Sequence, residues 1–476
     1  MDGLRAPWLE LGILIPAAGA VWVGFARDAN AARRTSLYAS GLAMACALAA
    51  WWGFAPQAPP DDRGGLLLLD ELSAPKLPLA ALLYFLTNLA TLRTKAREFS
   101  FARSLGSEAI LLATFACNRP WGVATLLAVG VVPPYLELRQ RNKPQRVYAV
   151  YMGVFVALLL LGQVLADFGA GSRPLATAGA GLLAAAVLLR SGAAPLHFWA
   201  TDLFEHATFG TALLFVGPMP GAYGAMRLVL PVAPPWILHA ASLAALLAAV
   251  YAAGMALVQH EARRFFCYLF LSQSSLILVG LEAASPLGVA GALCVWLSTS
   301  LALTGFGLTL RCVESRVGRI SLAGFQGLHR HVPTLAGLFL VTGLASIGFP
   351  GTVGFIGLEL LVEGTAQASP LVGAAVVTVA ALNGLAMLHA YFRIFTGRPR
   401  AGSIDLRIRP AEQASVLVLA VLILGGALFP QPGVAGRYHA AVELSRSRAR
   451  RLGESSPASH GGLTMDPPPS TAPAPK

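Results

Sequence analysis

Long apolar runs alternate with short polar segments along almost the whole chain. Most of these runs are about 17 to 25 residues long, enough for a helix to cross a hydrocarbon core of roughly 30 Å. The pattern predicts an all-α integral membrane protein with about fourteen transmembrane spans. The predicted spans cover residues 7–25, 36–54, 75–92, 104–118, 121–138, 147–166, 175–208, 209–230, 237–258, 265–281, 287–310, 334–364, 371–396 and 413–429.

The seventh and twelfth predicted spans are unusually long and contain helix-breaking residues. Proline removes a backbone donor and clashes with the preceding turn. Inside a bilayer, such a break persists only where protein or a water-filled cavity satisfies the freed backbone groups. The alternative is a short loop between two ordinary helices, but a loop does not explain why charged residues cluster beside the seventh-span break. The predicted break residues are Gly192 and Pro195 in the seventh span and Pro350 and Gly351 in the twelfth.

The two breaks lie five spans apart, and an odd separation reverses the direction in which the chain crosses the membrane. Paired broken helices of opposite orientation indicate inverted-topology repeats, with transport sites near the breaks. We therefore predict two inverted five-helix repeats. The predicted units are N-terminal helices 1–3 over residues 1–103, a first repeat over 104–258, a second repeat over 259–430 and a basic, Pro/Ser-rich, largely disordered tail over 431–476.

Composition agrees with a membrane protein. Hydrophobic residues make up 56% of the chain, charged residues only 12%, and the mean hydropathy is +0.64. The net charge of +12 does not indicate nucleic acid, because the basic residues lie mainly in short loops. Loops after odd-numbered spans are basic and the others are acidic or nearly neutral, which places both termini on the outer side of a bacterial inner membrane. The arginine-rich segment at 446–451 does not follow this rule.

Motifs for redox or nucleotide chemistry are absent from the sequence. The five cysteines are scattered singly, and neither a dinucleotide fingerprint nor a P-loop occurs. We therefore expect no cofactor in this chain and expect partner subunits to supply the energy. Asp202, Glu205 and His206 have the composition of a metal site, but their spacing at a helix end is more typical of a solvated or subunit-contact surface, so no metal is expected.

The segment after the first break matches a known pattern. Pro195, His197, Trp199, Asp202 and Thr208 stand in register with a segment of the antiporter-like subunits of respiratory complex I and of Mrp-type cation/proton antiporters, which this chain resembles. Four further stretches match the same family in order. They are Asp70–Ser73, GAYG at 221–224 followed by Arg227, the stretch from Glu261 to Gln273, and GFPGTVGF at 348–355 with NGLAMLHAYFRIFTG at 383–397. The resemblance covers about residues 66–430 and is strongest to the M-type subunit.

The resemblance implies proton conduction along a polar axis at mid-membrane, but several axis positions are altered. Arg190 stands where the family has the seventh-helix lysine, and Met219 stands at the eighth-helix lysine position. Leu358 occupies the twelfth-helix glutamate position, with Glu359 beside it, and the acid nearest to the fifth-helix position is Glu137. Either the axis is rewired or the subunit no longer pumps.

The candidate proton pathway combines these positions with two histidines and a second arginine. It consists of Arg190, His197, Glu137, Glu359, His389 and Arg393. A structural role is an equal alternative for His389, Glu363 is interpreted as an interfacial charge, and Glu108 is placed at the membrane edge. Because a buried guanidinium without a partner is costly, we expect an acid to approach Arg190, with Glu137 as the first choice.

The favoured function is that of a proton-translocating, antiporter-like subunit of an NADH:quinone oxidoreductase-type (complex I-like) complex. Its partners would be other membrane and peripheral subunits, protons or Na⁺, and the lipid bilayer. Three alternatives remain open. They are the membrane subunit of a bacterial inorganic-carbon (bicarbonate/CO₂) accumulation complex, an Mrp-type antiporter component and a non-pumping scaffold paralogue.

Overall fold

The computed structural model describes residues 7–54, 66–91, 99–281, 285–398 and 409–452. All regular secondary structure in these ranges is helical, apart from two isolated β-bridges that join Leu67 to Cys117 and Glu261 to Ser321. The basic loop predicted after the third span and the tail beyond residue 452 lie outside the described residues.

The helices follow the apolar runs of the sequence. In the first half they are α1 Trp8–Gly24, α2 Ala29–Trp52, α3 Lys76–Leu89, α4 Phe101–Ala116, α5 Pro120–Val129, α6 Val132–Gln140, α7 Arg146–Phe168, α8 Arg173–Ser191, α9 Phe198–His206, α10 Phe209–Val216 and α11 Pro220–Gly224, which continues into a π-helical turn at Ala225–Val229. In the second half they are α12 Pro235–Leu257, α13 Ala262–Val279, α14 Pro286–Val317, α15 Pro333–Ser346, α16 Gly354–Ala368, α17 Pro370–Phe395, α18 Pro410–Leu428 and α19 Gln431–Leu452.

Many of these helical segments are able to cross a membrane. Among the described residues, eight segments are long and apolar enough by length and composition alone. Shorter apolar helices occupy several of the other predicted spans, including Trp8–Gly24, Lys76–Leu89 and Pro333–Ser346. The chain is therefore a multi-pass, all-helical membrane protein.

The predicted breaks in the seventh and twelfth spans are confirmed. Helix α8 ends at Ser191, Gly192 adopts a left-handed conformation with φ of 72°, and α9 begins only at Phe198. In the twelfth span, Gly348 and Gly351 have φ values of 75° and 83° between α15 and α16. Glycine adopts positive φ without the Cβ penalty that other residues meet.

The fifth and eighth predicted spans are interrupted as well. In the fifth, α5 ends at Val129 and α6 begins at Val132, ahead of a Pro-Pro pair. In the eighth, Met219 separates α10 from α11 with φ of 53°, which is uncommon for a residue other than glycine. Prolines mark both interruptions in the sequence, Pro133 and Pro134 in the fifth span and Pro218 and Pro220 in the eighth.

Helix α14 lies at the centre of the packing. It has 32 residues and packs against α3, α10, α13, α15, α16, α18 and α19, and most of its side chains are buried. The two broken spans are each supported by a long neighbour, because α7 packs along α8 and α14 packs along α16. A continuous helix therefore packs along each broken span.

Helix α19 occupies the first part of the predicted tail, and the sequence analysis did not predict it. Buried Arg437 donates hydrogen bonds to the carbonyls of Glu71 (2.6 Å) and Leu72 (3.3 Å) in the loop before α3. Arg448 donates to the carbonyl of Ala233 (3.3 Å) ahead of α12. The helix therefore ties together two loops that are distant in sequence, which explains part of its basic composition.

Candidate functional site

Arg190 lies in the last turn of α8, immediately before the break, and only 4% of its surface is exposed. Its Nη2 donates a hydrogen bond to the carbonyl of Phe215 at 3.1 Å. The guanidinium carbon lies 3.9 Å from the Phe215 ring centroid and 5.4 Å from that of Trp199. A cation held over aromatic faces in a dry site gains about 2 kcal/mol. Aromatic faces and one carbonyl therefore hold this charge.

The break next to Arg190 is shaped by close packing. A Cβ atom on Gly192 would collide with Leu271 of α13, and its positive φ disfavours any other residue. A Cβ atom on Gly221 would lie 2.6 Å from the hydroxyl of Ser191, so α11 approaches the end of α8 directly. The indole of Trp199 donates to the carbonyl of Leu189 at 2.9 Å, which satisfies one of the free carbonyls of the last turn.

A cavity of about 50 Å³ lies beside Arg190. Besides Arg190, its polar lining comes from Tyr84 of α3, from Arg103, Ser104, Ser107 and Thr114 of α4, and from Thr211 of α10. A buried water needs about 10–15 Å³ of such space and two to four polar partners. The cavity is therefore large and polar enough for a few ordered waters, and these would satisfy polar groups next to the broken helix.

The expected pairing of Arg190 with Glu137 is wrong. The buried Glu137 carboxylate accepts hydrogen bonds from the backbone N–H of Thr208 (2.7 Å) and from the Thr211 hydroxyl, and Arg141 lies 3.9 Å away. Thr208 is the N-cap of α10, so the carboxylate lies at a helix N-terminus, where free N–H groups favour an anion. Glu137 is on α6, beyond the break at 130–131, and this position directs it to α10 instead.

His197 lies in the break itself, with only 2% of its surface exposed. Its ring stacks on Phe198 at a centroid distance of 4.6 Å and lies 5.5 Å and 5.7 Å from the rings of Tyr251 and Tyr268. Neither ring nitrogen has a hydrogen-bond partner in the part of the chain that the structure describes. A neutral imidazole in this state has one N–H donor and one acceptor nitrogen without a partner, and the acceptor nitrogen is the one that can take up a proton.

The three candidates from the second half of the chain do not line the Arg190 cavity. Glu359 is exposed on α16, whereas its neighbour Leu358 packs against Gly348 at the twelfth-span break. His389 is half-buried in α17. Arg393, near the end of α17, donates to the carbonyl of Ala323 at 3.2 Å and stacks near Phe325, so it fixes a surface loop.

Hydroxyl and amide groups line the interior between the two broken spans. The Asn383 amide donates to the Ser272 hydroxyl at 2.9 Å, and that hydroxyl donates to the carbonyl of Ala249 at 3.1 Å. The Asn383 carbonyl and the hydroxyls of Ser300 and Thr304 have no partner among the described residues. Such groups hydrogen-bond readily to water but do not titrate near neutral pH.

Two buried charged residues were missing from the predicted pathway. Lys76, at the start of α3, is 1% exposed, and its ammonium nitrogen lies 3.5 Å from the centroid of the Trp296 ring. Glu108, in the middle of α4, is fully buried. Neither side chain has a hydrogen-bond partner in the described part of the chain. In the sequence, Glu108 could have been identified as a candidate because it is a charged residue inside an apolar run.

Ion pairs fix the far end of α9. Arg263 pairs with Glu314 and donates to the carbonyls of Phe204 (3.1 Å) and Ala207 (3.3 Å). These are free carbonyls at a helix C-terminus, where a cation is favourable. The short second half of the broken span is therefore anchored to α13 and α14.

A second set of ion pairs near the end of α9 involves Glu205 and Asp202, the two acids that have the composition of a metal site. Glu205 lies 3.3 Å from Arg319, which also donates to Glu261 at 2.6 Å. Partial burial lowers the pKa of Arg319, but the hydrogen bond with Glu261 and the charges of Glu205 and Glu261 outweigh it and raise that pKa above its ordinary value. Asp202 contacts His206 within α9 at 3.1 Å. These groups join helices at the surface.

Broken helices around a buried charge, a polar cavity and unpaired polar groups define a class of membrane transport protein. Comparison with known proteins then gives the family. Residues 152–383 match the family model described as NADH:quinone oxidoreductase/Mrp antiporter, TM. This match confirms the resemblance to antiporter-like membrane subunits found in the sequence.

Curated relatives agree with this assignment. The chain is 27% identical to NAD(P)H-quinone oxidoreductase chain 4 1 of Synechococcus sp. (strain JA-3-3Ab), over 90% of this chain and 91% of the relative. It is 28% identical to NADH-quinone oxidoreductase subunit M of Mycobacterium tuberculosis, over 50% of this chain and 44% of that subunit.

Solved structures share the fold. A chain of respiratory complex I from Thermus thermophilus superposes with a TM-score of 0.81 at 22% identity, covering 92% of this chain and 99% of that one. A chain of the Mrp complex from Dietzia sp. superposes with a TM-score of 0.79 at 18% identity, covering 93% and 98%. The architecture is therefore that of an antiporter-like subunit.

Proposed function

We propose that this chain is a proton-translocating, antiporter-like membrane subunit of a complex I-like, NADH:quinone oxidoreductase-type complex, and that partner subunits hold the redox centres. The observation that carries the proposal is the buried Arg190 beside a polar cavity at the seventh-span break. A guanidinium inside a membrane protein is costly, and such groups mark ion pathways. The names of the curated relatives support the choice of complex.

Arg190 has a defined role in this proposal. Because a guanidinium stays protonated at essentially any pH, it cannot relay a proton. It acts as a fixed positive charge that sets the electrostatic potential of the cavity. Protons would instead move along water and titratable neighbours, among which His197 has two unpartnered ring nitrogens in the described structure.

The finer topology belongs to the same proposal. Fourteen spans in two inverted five-helix repeats, both termini on the outer side of a bacterial inner membrane, and assembly with membrane and peripheral subunits form one consistent arrangement. The breaks in α8–α9 and α15–α16, each accompanied by a long intact helix, support the repeats. The charge pattern of the loops supports the orientation.

Replacement of Arg190 tests the proposal. With the native complex reconstituted in vesicles, Arg190→Ala should reduce proton uptake by roughly tenfold or more, since about 1.4 kcal/mol added to a barrier slows a step tenfold. Arg190→Lys should keep part of the uptake because it keeps the charge. Arg446→Ala, which removes a half-exposed arginine on α19, serves as the control. If the assembled Arg190→Ala complex takes up protons like the parent, Arg190 is an anchor and the proposal fails.

Partner identity distinguishes this function from its rivals. The complex should be purified from its native membrane and its chains identified by mass spectrometry. Quinone-reductase subunits are expected. A set of Mrp-type partners would instead agree with the shared fold of the Mrp complex, and a soluble zinc-containing partner would indicate inorganic-carbon accumulation.

A further inference from the structure

Glu108 is a buried acid without a partner. It lies midway along α4, none of its surface is exposed, and neither carboxylate oxygen accepts a hydrogen bond within the described structure. Burial of an ionised carboxylate without compensation is strongly unfavourable. By contrast, Glu137 is engaged by two hydrogen bonds at the N-terminus of α10 and is not free to exchange partners. Glu108 is therefore the available acid in this region.

The Arg190 cavity extends along the helix that carries Glu108. Ser104 and Ser107, in the turn that precedes and adjoins Glu108, both line the cavity. Tyr84 lines it from α3 and lies within electrostatic range of both Glu108 and Arg190. A polar seam between α3 and α4 thus joins the acid to the fixed charge.

The seam continues away from the cavity. The Ser104 hydroxyl donates to the Asn88 carbonyl oxygen at 3.0 Å, and the Asn88 amide nitrogen has no acceptor among the described residues. Both side chains are buried. Asn88 is thus linked through Ser104 to the turn of α4 that precedes Glu108, and both side chains keep hydrogen-bonding atoms that water can satisfy.

We propose that Glu108 of α4 is the proton-exchanging acid of the Arg190 cavity and replaces an acid of the fifth span in that role. A Glu108 carboxylate oxygen accepts a proton from the water of the seam, so that an O–H bond forms on the carboxyl as one breaks on the donor. The carboxyl then returns the proton to water in the cavity. This inference rests on the proposed function.

The positive charge of Arg190 favours the ionised form of Glu108 over the protonated form. Glu108 does not line the cavity itself, so the charge of Arg190 acts on an ionised Glu108 through the polar groups of Tyr84, Ser104 and Ser107 that lie between them. When Glu108 takes up a proton, this electrostatic attraction disappears and water in the cavity is free to reorient. The pair therefore has two states that differ by one proton, which is the requirement for a relay.

The test compares Glu108→Gln with Glu108→Asp in the intact complex. Glu108→Gln keeps the shape but carries no exchangeable acid, so proton uptake by vesicles should fall by roughly tenfold or more. Glu108→Asp should keep part of the uptake. Glu443→Gln is the matched control, because Glu443 is 63% exposed and pairs with Arg446 at 4.0 Å. Assembly is checked by co-purification of the partner subunits.

Infrared difference spectroscopy supplies an independent readout. The parent complex should show a carboxylic-acid carbonyl band that changes during turnover and is shifted in Glu108→Asp. If the Glu108→Gln complex does not assemble, the behaviour of this band in the parent and in Glu108→Asp tests the role of Glu108. Absence of such a band, or a band unchanged by Glu108→Asp, overturns the role of Glu108.

Parallel measurement of Arg190→Ala separates the two proposals. If Arg190→Ala abolishes uptake while Glu108→Gln transports like the parent, this inference is wrong and the proposed function stands. If both assembled variants transport like the parent, the proposed function fails as well. Loss of uptake in both, with no further loss in the double variant, supports one shared pathway.

Discussion

At the scale of single residues, the Arg190 site combines a rigid backbone with a charge held only by aromatic faces and one carbonyl. The rigidity comes from Gly192, whose left-handed conformation ends α8 and whose missing Cβ admits Leu271. Any larger residue would strain the backbone and force the Leu271 side chain to move. The position of the guanidinium therefore depends on a glycine two residues away.

Gly192→Ala should destabilise the protein. A left-handed conformation costs a residue with a Cβ roughly 1–2 kcal/mol, and the collision with Leu271 adds to this. The thermal unfolding of the purified complex is the measurement. Gly254→Ala is the control, since Gly254 lies within α12 and a Cβ atom there meets nothing within 4 Å, so the gain in helix propensity should keep or slightly raise stability. Equal stability of the two variants would show that the break tolerates a side chain.

The sequence predicted the place of this site better than its contacts. Arg190 is a charge at the end of an apolar run, beside Gly192 and Pro195, and that combination is visible without a structure. Its partners are not visible, because the break after α5 turns Glu137 towards the N-terminus of α10. Glu108 is visible in the sequence as a charge inside an apolar run, but only the packing shows that it is buried without a partner.

At the scale of helices, the broken spans consist of short pieces that need external anchors. Helix α9 has 9 residues, too few to be stable alone. Its C-terminal carbonyls are held by Arg263, which Glu314 of α14 orients. Glycine and proline marked the breaks in the sequence, but the ends of the pieces depend on these long-range contacts, which no local pattern encodes.

Arg263→Ala should loosen α9 without dissolving the fold. The change removes donors from two carbonyls and leaves Glu314 unpaired in a partly buried site, which costs about 1–3 kcal/mol. Amide hydrogen exchange in α9 should become faster, whereas exchange in α1, which packs against α2 and α4, should keep its rate. Arg446→Ala serves as the control. Unchanged exchange in α9 would show that packing alone fixes this helix.

At the scale of the whole molecule, a charged side chain of the predicted proton pathway lies on the outer surface. Glu359 is exposed on α16, a helix whose other face packs on α14. An ionised carboxylate facing hydrocarbon costs several kcal/mol. In an assembly of membrane subunits, a neighbour with a cationic or hydrogen-bonding side chain would cover this position.

Glu359→Leu should therefore weaken retention of this subunit in its complex. The readout is the fraction of the subunit that migrates with its partners on a native gel, and Val377→Leu on the exposed face of α17 is the control. If Glu359→Leu is retained as well as or better than the parent, that face of α16 contacts lipid.

The way Arg190 is held has a consequence for selectivity. Among the described residues, no carboxylate neutralises its charge by an ion pair, so the cavity carries a positive potential. Two unit charges about 6 Å apart repel by about 3 kcal/mol at an effective dielectric constant of about 20. A sodium ion in this space of about 50 Å³ would meet that repulsion and also lose most of its hydration shell. A proton that moves along a chain of hydrogen-bonded waters stays solvated at every step. A missing proton in that chain carries an effective negative charge, which the positive charge of Arg190 attracts. On the proposed function, we therefore expect the cavity to disfavour metal cations while it leaves a route for protons.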